Sequence, residues 1–118
     1  MADILGYLKQ KISQLHLLGV NDIVIDPGFG FAKTTEQNYT LLNKLSYFKE
    51  LRVPLLAGMS RKSMITKVLN INADEAINGT SCVNMLALAG GASILRVHDV
   101  KEARQAVTIF NQFSLAHD

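Results

Sequence analysis

The first part of the chain carries apolar residues three or four positions apart, which is the spacing of one helix face. These residues are Ile4, Leu8, Ile12, Leu15 and Leu18. Lysines and glutamines fill positions between them, so the pattern predicts an amphipathic helix over residues 3–18. Gly19 follows directly and is expected to end it.

Three short apolar runs predict strands rather than helices. They occupy residues 23–25, 55–57 and 93–97, and they are too short for helices and rich in branched aliphatic residues. Asp-Pro-Gly follows the first run, and Pro54 precedes the second. Because the runs carry apolar residues on both faces, we expect each strand to be buried on both faces, as strands of parallel sheets are.

Helices are predicted between these strands, and two of them begin at capping signals. Thr34 and Gln37 have the spacing of a capping box, and Asp99 and Glu102 form a similar D-x-x-E pair. The predicted helices cover residues 35–51, 60–69, 74–89 and 100 to beyond 110. Strands that alternate with helices in this way are typical of parallel βα units.

The length of the chain limits the architecture that these units can build. A closed (β/α)₈ barrel takes about 250 residues, whereas this chain has 118. We therefore expect a single α/β domain over residues 1–118, with about three parallel βα units preceded by a helix. Such a sheet has two open edges, so the domain is either incomplete or completed by another copy.

Composition and charge exclude several classes of protein. The net charge is +2 and the basic residues form no tract, which argues against a nucleic-acid partner. No secretory signal and no run of about 20 apolar residues is present, so we expect no membrane partner and a cytoplasmic location. Cys82 is the only cysteine, which excludes an intrachain disulfide. Its apolar helical setting predicts that it is buried.

The residues with chemical potential follow the predicted strands. They are the loop 26–33, the segment 58–63, and Arg96, His98 and Asp99. Because the carboxyl ends of parallel strands meet at one edge, we expect these clusters to face one cleft. Arg96 and His98 are two residues apart at a strand end and would form a clamp for an anion.

Each of these residues also has an ordinary structural interpretation. Asp26 could only shape the turn at Pro-Gly, and Arg61 and Lys62 could be a solvated face. His98 could be a structural hydrogen-bond donor. Taken together, a carboxylate opposite an anion-binding face suits a ligand that combines a planar, donor-rich ring with a phosphate or carboxylate. The residues alone predict this ligand class and no reaction.

Three segments resemble the dihydropteroate synthases. Residues 25–33 read IDPGFGFAK, which is similar to the DPGxGFxK loop of that family. Residues 60–63 read SRKS and residues 96–99 read RVHD, in the family's order and at its intervals. The resemblance implies the C-terminal part of a (β/α)₈ TIM barrel, hence an incomplete, partial pterin-binding barrel. It also implies a transferase that condenses a hydroxymethyl-dihydropterin pyrophosphate with p-aminobenzoate to give dihydropteroate and pyrophosphate.

The resemblance also implies catalytic roles for Lys62, Arg96 and His98. Arg96 and His98 would hold the leaving pyrophosphate, whose departure leaves a cation at the pterin methylene group. Lys62 would contact the pterin and line the site of p-aminobenzoate, whose nitrogen attacks that cation. The departing anion has to be neutralised and the two rings oriented.

The remaining implied roles are in substrate binding. Asp26 would accept hydrogen bonds from the amino and ring N–H groups of the pterin. Ser63 would receive the carboxylate of p-aminobenzoate, while Arg61 and Phe31 would flank that substrate. Sulfonamides would compete for the same pocket.

Other parts of the family's site are absent from these motifs. The resemblance implies Mg²⁺ with its ligand outside this chain, no metal ligand within it, and further strands and loops that close the site. We therefore expect the chain alone to be inactive, and to need either a missing N-terminal half or a homo-oligomer. The alternative is a noncatalytic pterin- or anion-binding remnant that acts through a partner chain. A methyl-transferring pterin barrel is disfavoured by the SRKS segment.

Overall fold

The computed structural model describes residues 2–30 and 32–116, and most of them are helical. The elements are α1 (Ala2–Leu17), α2 (Thr35–Asn43), a 3₁₀ helix (Leu45–Leu51), β1 (Leu56–Ala57), α3 (Ser63–Leu69), a second 3₁₀ helix (Ala73–Glu75), α4 (Ile77–Ala89), β2 (Ile94–Leu95) and α5 (Val100–Leu115). Their order is the predicted one, except that the predicted strand between α1 and α2 is reduced to a single bridge. In the described part of the chain, no helix is both long enough and apolar enough to cross a bilayer.

The strands pair in parallel, as predicted, but they are shorter than the apolar runs. β1 pairs with β2, and the first run contributes only an isolated parallel bridge between Ile25 and Leu55. The carbonyl of Pro54 accepts the N–H of Ile25 at 2.9 Å. Because Pro54 has no N–H, it cannot donate the next ladder hydrogen bond towards Ile23. The prediction of a strand over residues 23–25 was therefore too long.

Only one face of this small sheet is covered. Ile25, Leu55 and Ala57 are buried in the hydrophobic core beneath the helices. Val24 and Ile94, on the opposite face, are 51% and 39% exposed. The expectation that the strands are buried on both faces was wrong, because nothing in the described residues packs against this second face to the same degree.

The predicted capping box at the start of α2 is confirmed. The Thr34 hydroxyl accepts the N–H of Gln37 at 3.1 Å, and the Gln37 side chain accepts the N–H of Thr34 at 2.8 Å. The α-helix then ends at Asn43, earlier than predicted, and a 3₁₀ helix continues. The buried residues of this second segment are Leu45, Phe48 and Leu51. Their spacing of three matches the three residues per turn of a 3₁₀ helix.

Two further predictions were wrong at α4 and α5. Asp99 is the N-cap residue of α5, but its side chain makes no capping hydrogen bond. Its carboxylate binds Arg61 instead, because a guanidinium offers two charge-assisted donors where a cap offers one neutral donor. Cys82, which was predicted to be buried, is exposed. The buried side of α4 instead carries small and polar residues: Gly79, Thr80, Val83, Asn84, Ala87 and Leu88.

Gly79 allows α3 and α4 to approach closely. A Cβ at this position would lie 2.6 Å from Cγ2 of Ile65 and 2.8 Å from Cδ1 of Leu69. Gly6 in α1 offers a control, since a Cβ there would meet no atom within 4 Å.

We expect Gly79→Ala to lower the free energy of unfolding by about 1–2 kcal/mol, because overpacking costs more than the helix propensity of alanine returns. Gly6→Ala should raise it by about 0.5–1 kcal/mol. Urea unfolding followed by circular dichroism measures both changes. Equal effects of the two substitutions would contradict the close packing at Gly79.

Candidate functional site

The first loop, residues 26–33, follows the bridged residue Ile25 and begins with a tight turn that fixes Asp26. The Oδ1 atom of Asp26 accepts the N–H of Gly28 at 2.9 Å. Gly28 has a φ of +81°, in the left-handed region that favours glycine. The ammonium of Lys33 donates to the carbonyl of Gly28 and closes the turn from its other end. Asp26 does therefore shape the turn, and one of its oxygens is committed to that role.

The second oxygen of Asp26 connects the first loop to the residue that follows β2. Oδ2 accepts from Nη1 of Arg96 at 3.3 Å. The two side chains are 38% and 59% exposed, so this ion pair contributes at most about 1 kcal/mol. Its value is positional, since it places a carboxylate and a guanidinium side by side at the strand ends.

Gly58, which directly follows β1, leaves space for the contact between Arg96 and Asp26. A Cβ there would lie 2.5 Å from Nη2 and 2.8 Å from Cζ of Arg96. The guanidinium therefore lies directly over the backbone of Gly58. A larger residue at this position would displace Arg96 from Asp26.

Lys62 is partly buried and reaches back to the first loop. Its ammonium donates to the carbonyl oxygen of Phe29 at 2.5 Å. Burial and the neighbouring charge of Arg96 lower the pKa of Lys62, with a smaller contribution from Lys33, and the carboxylate of Asp26 partly offsets this. Lys62 thus contacts the first loop and is close enough to Arg96 and Asp26 for their charges to affect its pKa.

Arg61 is held by its backbone and by its side chain. It adopts a φ of +56°, which is uncommon for a residue with a side chain. Its N–H donates to the hydroxyl of Thr80 at 3.1 Å, and its guanidinium donates to both carboxylate oxygens of Asp99 at 3.1 and 2.7 Å. The side-chain hydrogen bonds between Arg61 and Asp99 raise the pKa of Arg61 and hold the pKa of Asp99 below its usual value.

His98 is positioned by Ser60. The backbone N–H of His98 donates to the Ser60 hydroxyl at 3.2 Å, and Nδ1 lies 3.0 Å from the same oxygen. These contacts join the segment after β2 to the loop after β1. It leaves Nε2 as the ring nitrogen available to a ligand.

The structure thus connects most of the predicted site residues. Asp26 and Arg96 are in contact, and Lys62 lies close enough for both charges to affect its pKa. Arg61 and His98 are each bound to a neighbouring loop. Ser63 is exposed and is the first residue of α3. Phe31 lies outside the described residues, so its predicted place beside a substrate stays a prediction.

Sequence reasoning missed residues that hold the site from behind. Thr80 binds the backbone of Arg61, and Asn38 binds the backbone of Gly30. Both are polar residues at buried helical positions. A polar residue within an apolar helix face was therefore the signal that could have identified them.

The charges at the strand ends can receive an anionic group beside a hydrogen-bonding carboxylate. Arg96, Lys62 and Lys33 supply positive charge, and Asp26 supplies the acceptor. Over residues 2–30 and 32–116, no cluster of three or more His, Cys, Asp or Glu side chains could hold a metal ion. This finding does not test the expected Mg²⁺, whose ligand the resemblance places outside this chain, and it stays a prediction.

Comparison with protein families gives a match over most of the chain. The sequence pattern of a family described as "Pterin binding enzyme" matches residues 1–98. The dihydropteroate synthase of Escherichia coli strain K12 is 40% identical over 110 residues, which cover 92% of this chain and 39% of that enzyme. The chain therefore spans about two fifths of the length of such curated relatives.

Solved structures give the same match in three dimensions. A dihydropteroate synthase of Yersinia pestis in complex with a sulfonamide drug superposes with a TM-score of 0.94 at 38% identity, over 99% of this chain and 43% of that one. The enzyme of Xanthomonas albilineans with 4-aminobenzoic acid gives 0.92 at 34% identity, over 98% and 45%. The βα arrangement described above is thus shared with these proteins.

The electrostatic environment of Lys62 predicts opposite effects of two substitutions. Arg96→Ala should raise the pKa of Lys62, because it removes a like charge, and Asp26→Asn should lower it, because it removes an opposite charge. An alkaline NMR titration of the Lys62 side chain, assigned with Lys62→Arg, measures both. Shifts of the same sign would refute the assignment of these charges to Lys62.

The lowered pKa of Lys62 also predicts how stability changes with pH. The pKa in the folded chain lies below that in the unfolded chain, so the folded state binds fewer protons between the two values. The free energy of unfolding should therefore gain from Lys62 as the pH rises through that interval. Lys62→Met should lose this gain, which urea unfolding at several alkaline pH values would show.

Gly58→Ala should change the arrangement of Arg96 with little effect on the stability of the fold. Gly58 is outside the left-handed region, and the atoms that its new Cβ would meet are the mobile end of Arg96. We expect the free energy of unfolding to change by less than about 1 kcal/mol. The displaced guanidinium should leave Asp26, and the pKa of Lys62 should rise. An unchanged Lys62 titration would show that Arg96 does not lie over Gly58.

Proposed function

This chain belongs to the family of pterin-binding enzymes, and from this premise we propose that it is part of a dihydropteroate synthase. The proposed reaction joins a hydroxymethyl-dihydropterin pyrophosphate to p-aminobenzoate and releases pyrophosphate. The observation that carries the proposal is the ion pair of Asp26 with Arg96, whose charges also act on Lys62, at the ends of two parallel strands and of the bridged segment at Ile25. The similarity to dihydropteroate synthases supports the choice of reaction.

Asp26 binds the pterin in this proposal. A carboxylate has about four lone-pair positions, and the turn and Arg96 use one on each oxygen. One position on each oxygen therefore stays available for the amino and ring N–H groups of a pterin. Two parallel hydrogen bonds to a carboxylate would fix both the position and the plane of the ring.

Arg96 and His98 receive the leaving pyrophosphate. Nη1 of Arg96 contacts Asp26, which leaves its other donors for the anion. The Nδ1 of His98 lies against Ser60, so Nε2 is the nitrogen that would donate to a phosphate oxygen. Donors that are fixed before reaction stabilise developing negative charge without reorganisation.

The second substrate binds beside Lys62 in the proposal. Arg61 is already paired with Asp99, so it would offer the flat face of its guanidinium rather than a free charge. The Ser63 hydroxyl would donate a hydrogen bond to the carboxylate, and Phe31 would flank this substrate together with Arg61. The solved enzymes with a sulfonamide drug and with 4-aminobenzoic acid support a site for this class of molecule.

The rest of the proposal concerns what the chain needs beyond its own residues. In the proposal, the protein ligand of Mg²⁺ comes from outside this chain. The exposed sheet face at Val24 and Ile94 supports a partner there, either the missing portion of the barrel or another copy. We expect a cytoplasmic location and no measurable synthase activity from the chain alone.

A chimera tests the proposed function. The 110-residue segment of the Escherichia coli enzyme that matches this chain would be replaced by the sequence of this chain. We expect the chimera to form dihydropteroate, and Asp26→Ala or Arg96→Ala to reduce kcat/KM at least about 100-fold. Lys101→Ala, on the exposed surface of α5, is the matched control and should not change it.

The outcomes distinguish the two candidate functions. A folded chimera that binds pterin but forms no product would contradict a synthase segment and favour a noncatalytic pterin-binding remnant. Product formation by the chain alone, at the rate of a full-length enzyme, would contradict the proposed need for a missing portion.

A further inference from the structure

Asn38 is a buried polar residue on the apolar side of α2. It is 1% exposed, and Leu41 and Leu42 on the same helix are buried with it. A buried amide is unfavourable unless its donor and acceptor groups form hydrogen bonds. The partners of this amide therefore indicate what the residue does.

Both groups of the Asn38 amide bind the same residue in the first loop. Its Oδ1 accepts the N–H of Gly30 at 3.2 Å, and its Nδ2 donates to the carbonyl of Gly30 at 3.1 Å. A neighbouring strand makes the same pair of bonds with a backbone residue. Aspartate offers the acceptor without the donor, and leucine offers neither.

The residue before Gly30 carries the carbonyl that holds Lys62. Phe29 has a buried ring, and its carbonyl oxygen accepts from the Lys62 ammonium at 2.5 Å. The N–H of Lys33 donates to the Gly30 carbonyl at 3.2 Å, so the loop is also closed on its far side. The direction of the Phe29 carbonyl therefore depends on how the Gly30 backbone is held.

We propose that Asn38 is a positioning residue whose buried amide fixes the backbone at Gly30 and thereby places the Phe29 carbonyl that holds Lys62. Asn38 acts through this backbone and touches no substrate. The functional part of the inference rests on the proposed function, in which Lys62 contacts the pterin. Arg96 and His98 are held by Asp26 and Ser60, so they do not depend on Asn38.

The test compares two variants of the full 118-residue chain with a matched control. Asn38→Leu removes both hydrogen bonds, and Asn38→Asp keeps only the acceptor. The control is Asn84→Leu, which changes a 2% exposed asparagine on α4 whose Oδ1 has no hydrogen-bond partner among the described residues. NMR measures amide exchange at Gly30 and the side-chain signal of Lys62.

We expect Asn38→Leu to speed exchange at Gly30 at least about tenfold beyond the change in global stability, which the slowest amides report. Asn38→Asp should speed it less, and both variants should move the Lys62 signal. The control should change global stability alone. If Asn38→Leu and Asn84→Leu behave alike at Gly30 and Lys62, the proposal is overturned.

Two ligand titrations add a functional measurement. Asn38→Leu should weaken binding of 6-hydroxymethylpterin at least about tenfold and leave inorganic pyrophosphate within about twofold, because Arg96 and His98 are held independently. If the unaltered chain binds no pterin while the NMR results appear as expected, the positioning role stands and pterin binding by this chain alone fails.

The test remains decisive even if Asn38→Leu does not fold. In the unaltered chain, coupling across the hydrogen bond between the Gly30 nitrogen and the Asn38 side-chain carbonyl carbon reports the contact directly. Its presence, together with a shifted Lys62 signal in Asn38→Asp, supports the proposal. Its absence overturns it.

Discussion

The site depends on the backbone hydrogen bonds of residues 55–57, which include β1, because this segment is bonded to neighbouring segments on both sides. Leu56 donates to the carbonyl of Ile25 on one side, and Ser93 and Ile94 donate to the carbonyl of Leu55 on the other. Arg96 donates to Ala57 at the end of the segment. These few bonds bring residues 70 positions apart in the chain, Asp26 and Arg96, into contact. Parallel pairing places all three following loops at the same edge.

Side-chain contacts between those loops then substitute for a longer sheet. Each loop binds a neighbour through a charged or hydroxyl group: Asp26 with Arg96, Lys62 with the carbonyl of Phe29, Arg61 with Asp99, and Ser60 with His98. The ladder itself is only two residue pairs and one bridge long. The geometry of the edge is therefore set by the loops as much as by the strands. A group that reacts at this edge is consequently oriented by residues from more than one βα unit.

The sequence was informative where the physics is local. The spacing of apolar residues predicted the order of elements, and Thr34 with Gln37 predicted the start of α2. The clusters at the strand ends were predicted because parallel strands share a direction. In contrast, Asp99 was assigned to a local cap, although a better partner lay 38 residues earlier at Arg61. The exposure of Val24 was missed because an apolar run does not reveal which face has a neighbour.

Arg61 combines two requirements that no other single residue meets. Its backbone is left-handed, and its guanidinium forms two hydrogen bonds with Asp99. Glycine or asparagine would relax the backbone but leave Asp99 unpaired, and lysine would keep the charge without the two-pronged geometry. Every substitution at position 61 therefore changes the connection between the loop after β1 and the start of α5.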